Sequence, residues 1–335
     1  MKSIIISPSG NLYGSEQVLI DYLEITSLSH KVYFPANSLF EKYFNDKNFV
    51  SQKFFNLIFL YISVIFDLIF HNYQFVYINE AGHSKYISLL AKLFKRKNFI
   101  VHVRLLEDCD KHRYPFDHLS NIQFITVSDY ISNKFPFQSL VLHDGYPFSN
   151  MLPWKHTSDS KIKIGIIGRI TKTKGFDEFI SLFNHISYLD VEFHFYGDVS
   201  SDVELICSIN DLKNAHKIVF HGFVESKDLI YSNIYLVLHL NKHEPLGRIF
   251  FEALDYGIPF IGFRSGGIGE IANKINYPMF VADESINFNQ HVLDTLISLS
   301  NQSNINFFDF ELARQNAIRY FSTLNYSKIL DQQFQ

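Results

Sequence analysis

The sequence predicts an α/β protein made of two doubly wound, parallel-sheet domains. Three observations carry this prediction. Short apolar runs alternate with helical patterns from one end of the chain to the other. Polar, glycine-bearing or cationic segments follow several of these runs, at the strand ends where open α/β sheets hold their ligands. The alternation breaks once, at residues 146–160, YPFSNMLPWKHTSDS, where prolines and small polar residues cluster.

Taken in order, the first series of strands is expected at Ile4–Ser7, Lys31–Phe34, Phe75–Ile78, Phe99–Val103, Gln123–Val127 and Leu140–His143. Helices Ser15–Leu28 and Ser84–Phe94 fall among them. The second series is expected at Ile162–Gly168, Glu192–Gly197, Ile218–Phe220, Tyr235–His239 and Pro259–Gly262, with helices Phe176–Ile186 and Ile249–Tyr256 between. After Asn287 the pattern is mainly helical. The simplest division is therefore residues 1–150 and 151–320.

The totals fit that division. A chain of 335 residues, 47% hydrophobic and 19% charged, has room for roughly two domains with large cores. Its formal net charge of −4 argues against a dedicated nucleic-acid binder, which would be basic. Cys109 and Cys207 lie too far apart in sequence to suggest a disulfide framework, so a reducing compartment is expected. Met1-Lys2 runs straight into the first strand without a long apolar leader, and a cytoplasmic location follows as the expectation.

One segment, Phe54–Phe70 (FFNLIFLYISVIFDLIF), is apolar nearly all round. It is short of the roughly 20 residues that span a bilayer and carries Asn56 and Asp67. A core helix is the expectation, with a helix leaning on a bilayer surface as the alternative. Lys92, Lys95, Arg96 and Lys97 close a later helix, where cations suit the helix dipole. The same cluster would also serve as a patch for anionic lipid headgroups.

Two stretches of the second half concentrate polar chemistry. In residues 164–180, IGIIGRITKTKGFDEFI, Arg169, Lys172 and Lys174 follow a strand and precede a helix. Cations placed there can hold a phosphate or diphosphate; otherwise they form a solvated basic loop. In residues 243–262, HEPLGRIFFEALDYGIPFIG, Pro245 biases Glu244 toward an extended backbone, and Gly247 permits a tight turn before the helix. Amides near Leu246 to Arg248 then open that helix as an anion site. A rival signal, Asp108-Cys109-Asp110, could share a divalent cation with a diphosphate. It lies in a polar loop of the first half, and no metal site is predicted. His71, His83, His112 and His118 show no metal-ligand spacing, and no Gly-x-Gly-x-x-Gly turn follows the first strand.

Together, GRITKTKG, HEPLGRIFFEALDYGIP and SGGIGEI (265–271) resemble the second domain of family-four retaining glycosyltransferases, the GT-B fold, of the bacterial surface-polysaccharide type. Glu244 and Glu252 have the family's Glu-x7-Glu spacing. Gly168, Arg169, Lys174 and Gly175 match its Gly-Arg-x4-Lys-Gly turn, and Gly266, Gly267 and Glu270 its Gly-Gly-x-x-Glu turn. The first half matches more loosely. Asn11-Leu-Tyr-Gly-Ser-Glu16 looks like a Gly-Gly-x-Glu loop, with Tyr13 replacing the first glycine and Gly14 retained. His102 ends a strand where the family commonly has a histidine facing the donor sugar. Leu142-His-Asp-Gly-Tyr resembles the interdomain Asn-Gly turn, with Asp144 in place of asparagine.

The resemblance implies two Rossmann-like domains facing across a cleft, with the last helix, about 321–335, packing back on the first. It implies a hexosyltransferase that moves a sugar, with retention, from a nucleotide-diphosphate sugar to a glycan or lipid-linked acceptor. The family setting is cell-envelope polysaccharide synthesis, lipopolysaccharide or capsule. The catalytic residues would be Glu244, His102, Arg169 and Lys174. Donor binding would fall to Gly14, Arg169, Lys174, Glu244, Leu246, Gly247, Arg248 and Glu252, with Glu252 on the ribose and Glu244 on the hexose. No cofactor and no metal are implied. The partners would be the nucleotide sugar, the acceptor and an anionic membrane surface on the inner face of the plasma membrane, without nucleic acid. A GT-B epimerase or phosphorylase, or a non-catalytic nucleotide-sugar-binding subunit, is the alternative.

Overall fold

The structure is a computed structural model that describes residues 2–45, 49–114, 119–154, 161–200, 209, 217–278, 287–300 and 307–335. Cys207 and His118 lie outside the described residues. The chain divides into two compact units, residues 1–147 with 319–335, and residues 148–318.

The first unit is a seven-stranded sheet in the order β3-β2-β1-β4-β5-β6-β7. Its strands are β1 (Lys2–Ile6), β2 (Ser29–Pro35), β3 (Ser51–Phe54), β4 (Phe75–Ile78), β5 (Asn98–Val103), β6 (Ile122–Thr126) and β7 (Leu140–Val141). Every pairing is parallel. Helices α1 (Gly14–Ile25) and α2 (Leu39–Asn45) connect the strands stepping from β1 to β3. Helices α3 (Leu57–Phe70) and α4 (Ser84–Leu93) connect strands stepping the other way, from β3 to β5. Because such crossovers are right-handed, the two pairs fall on opposite faces of the sheet. A short helix, α5 (Asp129–Ser132), follows β6.

One face is filled by Ile5, Leu19, Tyr22, Phe34 and Phe40, together with Tyr326, Leu330 and Phe334 from the end of the chain. The terminal helix can approach this closely because residue 145 is glycine. A Cβ there would lie 2.7 Å from Tyr326 Cβ and 2.8 Å from Thr323 Cα. Tyr146 N donates to Phe321 O at 2.8 Å, and Thr323 N donates to Tyr146 O at 3.1 Å. Asp331 accepts from Tyr22 Oη at 2.7 Å and from Thr26 Oγ1 at 2.9 Å.

Two elements escape the sequence pattern. β3 is a four-residue edge strand, Ser-Gln-Lys-Phe, in which only Phe54 is buried, and α2 precedes it. The expected core helix Phe54–Phe70 needs correction. The helix starts at Leu57, capped by Asn56 Oδ1 on Phe59 N at 2.8 Å, and buries only one face. Leu60, Tyr61, Val64 and Leu68 point inward, while Ile58, Phe59, Ile62, Phe66, Ile69 and Phe70 are exposed. Asp67 faces the interior, where Lys31 Nζ pairs with it at 2.7 Å and Tyr33 Oη donates to it at 2.7 Å. An inward acid turns the helix so that apolar groups face solvent.

The second unit is a five-stranded parallel sheet in the order β10-β9-β8-β11-β12. Its strands are β8 (Ile162–Ile167), β9 (Val191–Tyr196), β10 (Ile218–Gly222), β11 (Leu236–His239) and β12 (Phe260–Gly262). The described helices are α6 (Phe176–Ile186), α7 (Lys227–Ser232), α8 (Arg248–Asp255), α9 (Gly266–Ile275), α10 (Phe288–Ser300) and α11 (Phe307–Phe321). Phe179 of α6 sits edge-on to Phe195 of β9, centroids 4.7 Å apart. Phe250 of α8 packs tilted on Phe260 at 4.7 Å and edge-on to Tyr277 at 4.9 Å. The unit's last stretch passes into α12 (Thr323–Gln332), the terminal helix of the first unit.

Candidate active site

The carboxyl ends of β8, β11 and β12 carry the loops that assemble the site of the second unit. After β8, Gly168 takes φ 128° with open space where a Cβ would stand, and Arg169 is exposed. Thr171 caps the following 3-10 turn by accepting from Lys174 N at 3.1 Å. Gly175 then takes φ 90°, and a Cβ there would lie 2.4 Å from Leu240 O. Only glycine allows this turn to pass so close to the end of β11, and the approach aims Lys174 at the next loop.

That loop holds Glu244. Its Oε2 accepts from Lys174 Nζ at 2.8 Å and from Asn241 Nδ2 at 2.6 Å. Burial pushes the carboxyl upward, but Lys174, His239 and Asn241 outweigh it and hold Glu244 below its ordinary value. His239 Nε2 stands 3.7 Å away. Burial drives that imidazole down to about 4, so it is neutral near pH 7 and, among the described residues, Lys174 is the positive partner.

The backbone around Glu244 is pinned by the glycine pair. Gly267 N donates to Glu244 O at 2.9 Å, and Ser265 Oγ donates to Lys242 O at 2.8 Å. A Cβ on Gly267 would lie 2.1 Å from Pro245 O, so a larger residue would lift the loop. Gly247, at φ 90°, caps α8 with no side-chain hydrogen bond. Gly247 has no side chain to offer the helix, and Phe250 N donates to Gly247 O at 3.0 Å; a helix N-terminus is where an anion can be held. Leu246 turns its side chain into the core, leaving its backbone at the loop; Arg248 opens the helix.

Glu252 lies one turn further on. Its Oε1 pairs with Lys227 Nζ at 2.7 Å, and its Oε2 accepts from Tyr231 Oη at 2.9 Å. Tyr231 stacks on Tyr256 with centroids 4.6 Å apart. Asn241, His239, Lys227 and Tyr231 were not singled out by sequence reasoning. Asn241 had a usable signal, a polar residue directly after a strand; Lys227 and Tyr231 had none.

The loops of the first unit form their own cluster. Gly14 is exposed at the start of α1. Glu16 is fully buried, and its Oε2 accepts from Tyr13 N at 3.2 Å and Ser15 Oγ at 3.1 Å. Ser15 Oγ also bonds Glu80. Burial, helped by Glu80, pushes Glu16 up to about 7.

His102 ends β5 with no exposure. Its Nδ1 lies 2.7 Å from Tyr77 Oη and 3.3 Å from Arg104 Nη2. A guanidinium only donates, so Nδ1 is the acceptor and the ring proton sits on Nε2. Burial and then Arg104 lower the imidazole well below its ordinary value. Arg104 itself pairs with Asp144 and donates through Nε to Asn79 O at 2.8 Å. Asp144, where the family turn has asparagine, is thus the counter-ion of a buried arginine.

Asp108 and Asp110 have structural work. Asp108 accepts from Arg113 Nη1 at 2.8 Å and is pushed up to about 6 by burial. Asp110 caps a short turn through His112 N at 3.0 Å.

Residues 150–297 match the family model described as glycosyl transferases group 1. No curated protein matches the chain in sequence. Among solved structures, Alr3699/HepE of Anabaena in complex with UDP and glucose superposes with a TM-score of 0.75 at 17% identity, covering 99% of both chains. A glycosyltransferase from Rickettsia africae gives 0.79 at 16%, covering 99% of this chain and 98% of that one. The lipopolysaccharide outer core galactosyltransferase WaaB, in its apo form, gives 0.71 at 14%, again over 99% and 98%. These likenesses establish the GT-B fold, and the group 1 domain marks the chain as a glycosyltransferase.

Proposed function

We propose that this glycosyltransferase binds a UDP-hexose through its second unit and transfers the hexose, with retention, to a glycan or lipid-linked acceptor of the cell envelope. The carrying observation is the Lys174–Glu244–Asn241 constellation beside the glycine-led start of α8. HepE, which binds UDP and glucose, and WaaB, a lipopolysaccharide galactosyltransferase, share its fold. Those two likenesses support the choice of nucleotide and setting.

Each residue has a part that its environment suits. Arg169 is exposed and, among the described residues, engaged by no ion pair, so it is available to a diphosphate. Lys174 sits between Glu244 and that diphosphate and shares its charge as the leaving group departs. Helix amides near Leu246, Gly247 and Arg248 donate to the same oxygens. Glu244, held as a carboxylate and already hydrogen-bonded, is a weak base. It suits accepting bonds from hexose hydroxyls rather than attacking or deprotonating. Retention then proceeds on the donor's front face, with the leaving phosphate taking the acceptor proton. Glu252 keeps Lys227 and Tyr231 while accepting from a ribose diol, since a carboxylate offers about four lone-pair sites. The neutral state and Nε2 proton of His102, in the first unit, suit it to act as a hydrogen-bond donor. The two cations replace a metal, so turnover is proposed to be metal-independent.

The test is a thermal-shift panel of UDP, GDP, ADP and CMP on wild type and on Arg169→Ala/Lys174→Ala. A ligand at about 100 times its Kd stabilises the native state by about 2.7 kcal/mol. Stabilisation by UDP that disappears in the double variant is the expected result. If no nucleotide shifts wild type, the donor site is wrongly placed.

A further inference from the structure

The first unit carries a surface that the transferase chemistry does not use. On α3, Ile58, Phe59, Ile62, Phe66, Ile69 and Phe70 lie within about a third of the helix circumference at 100° per residue. All six are exposed, Ile58 at 75% and Phe70 at 66%. Soluble proteins rarely leave a contiguous apolar patch of this kind uncovered unless it meets a partner or a membrane.

The neighbouring helix extends the surface and gives it a charge. α3 and α4 lie on the same face of the sheet, and Tyr61 stacks on Tyr86 across them at 4.8 Å. α4 exposes Tyr86, Leu89 and Leu93 beside Lys85 and Lys92, and Lys95 and Arg96 follow, also exposed. No carboxylate interrupts the outer faces of these two helices. The one acid of α3, Asp67, is turned inward, and α4 contains none.

We propose that the outer faces of α3 and α4 form a docking surface for an anionic lipid bilayer. The rows divide the work. The α3 stripe enters the boundary between headgroups and acyl chains, as apolar faces of interfacial helices do. Tyr86 sits at headgroup level, and Lys85, Lys92, Lys95 and Arg96 meet lipid phosphates. No helix among the described residues is long and apolar enough to cross a membrane, so the attachment is lateral. Charge complementarity selects this occupant. A second copy of the chain would bring one basic rim against another, whereas an anionic leaflet neutralises it.

The surface belongs to the first unit and the donor loops to the second, and its test does not depend on turnover or on UDP. Full-length protein is floated with vesicles of phosphatidylcholine alone and of phosphatidylcholine with phosphatidylglycerol. Binding is expected only to the anionic vesicles and is expected to weaken with salt. Each basic residue near such a surface strengthens attachment about five-fold, so Lys92→Glu/Arg96→Glu should weaken it about 25-fold or more. Ile62→Ser/Phe66→Ser should weaken it comparably while leaving the salt dependence in place. Circular dichroism melts matching wild type show that the variants fold. Failure of folded wild type to float with anionic vesicles overturns the proposal. So does binding indifferent to both variants, or a wild-type dimer that Ile62→Ser/Phe66→Ser converts to monomer without any vesicle binding.

Discussion

The loop after β1 and the loop after β8 occupy equivalent places in their units, each leading from a first strand into a first helix. They handle a glutamate in opposite ways. Glu16 is enclosed with Ser15, a backbone amide and a second acid, Glu80, and its carboxyl rises to about 7. Glu244, gripped from the β8 loop by Lys174, falls below its ordinary value although burial pushes it upward. Arg104 draws Glu16 downward only weakly, as the smallest of its causes, and is itself paired with Asp144. Burial alone therefore does not decide the charge of a carboxylate here; a cation free to reach it does.

The largest effect should come from breaking the pair that holds Arg104 near the first loop. Asp144→Ala leaves a buried guanidinium without its counter-ion and should cost about 3–5 kcal/mol of stability in denaturant titration. Asp144→Asn, which restores the family's residue, keeps the hydrogen-bond geometry and should cost less. Next comes the cation of the second loop. Lys174→Ala should lower transfer from UDP-hexose about a hundredfold, roughly 2.7 kcal/mol at the transition state, with the melting temperature little changed. An unchanged rate would remove Lys174 from the leaving-group site.

The smallest effect is a pH dependence, and it isolates the first loop. Glu16 has a raised native value, so its contribution is complete below about pH 4.5 and is lost as pH rises through about 7. Between about pH 5 and pH 7 that loss is about 2 kcal/mol. His30 and His239, both driven to about 4 by burial, act oppositely and lose stability as pH falls from about 6.5 toward 4. The difference between wild type and Glu16→Gln cancels the histidines. It should grow in favour of the variant across that window, and a flat difference would mean that Glu16 is ionised throughout.

What the sequence made legible follows the same line between local and distant causes. Strands such as Phe75–Ile78 and helices such as Phe176–Ile186 are runs whose periodicity is complete within the segment, and they occur where expected. β3 was missed because its pairing with β2, rather than its residues, makes it a strand. The exposed side of α3 stood only as the alternative for a related reason. Apolar residues surround that helix, and only the long-range pairing of Asp67 with Lys31 decides which side turns inward. At the site, the motif spacing pointed to Lys174 and Glu244 together, and they lie 2.8 Å apart. Tyr231 and Lys227 on Glu252, and Asp144 on Arg104, are contacts between segments whose separation carries no periodic signal.

The bond from Tyr22 to Asp331 joins residues 309 positions apart in sequence. It has a consequence for the order in which the protein is made. The sheet of the first unit is synthesised early, but its helical face still lacks Tyr326, Leu330 and Phe334. At about 5–20 residues per second, the roughly 170 residues between the two parts of this unit take roughly 9–34 s to emerge. For that interval Tyr22, Phe75 and Tyr77 await partners that the ribosome has not yet delivered, and the unit begun first is completed last.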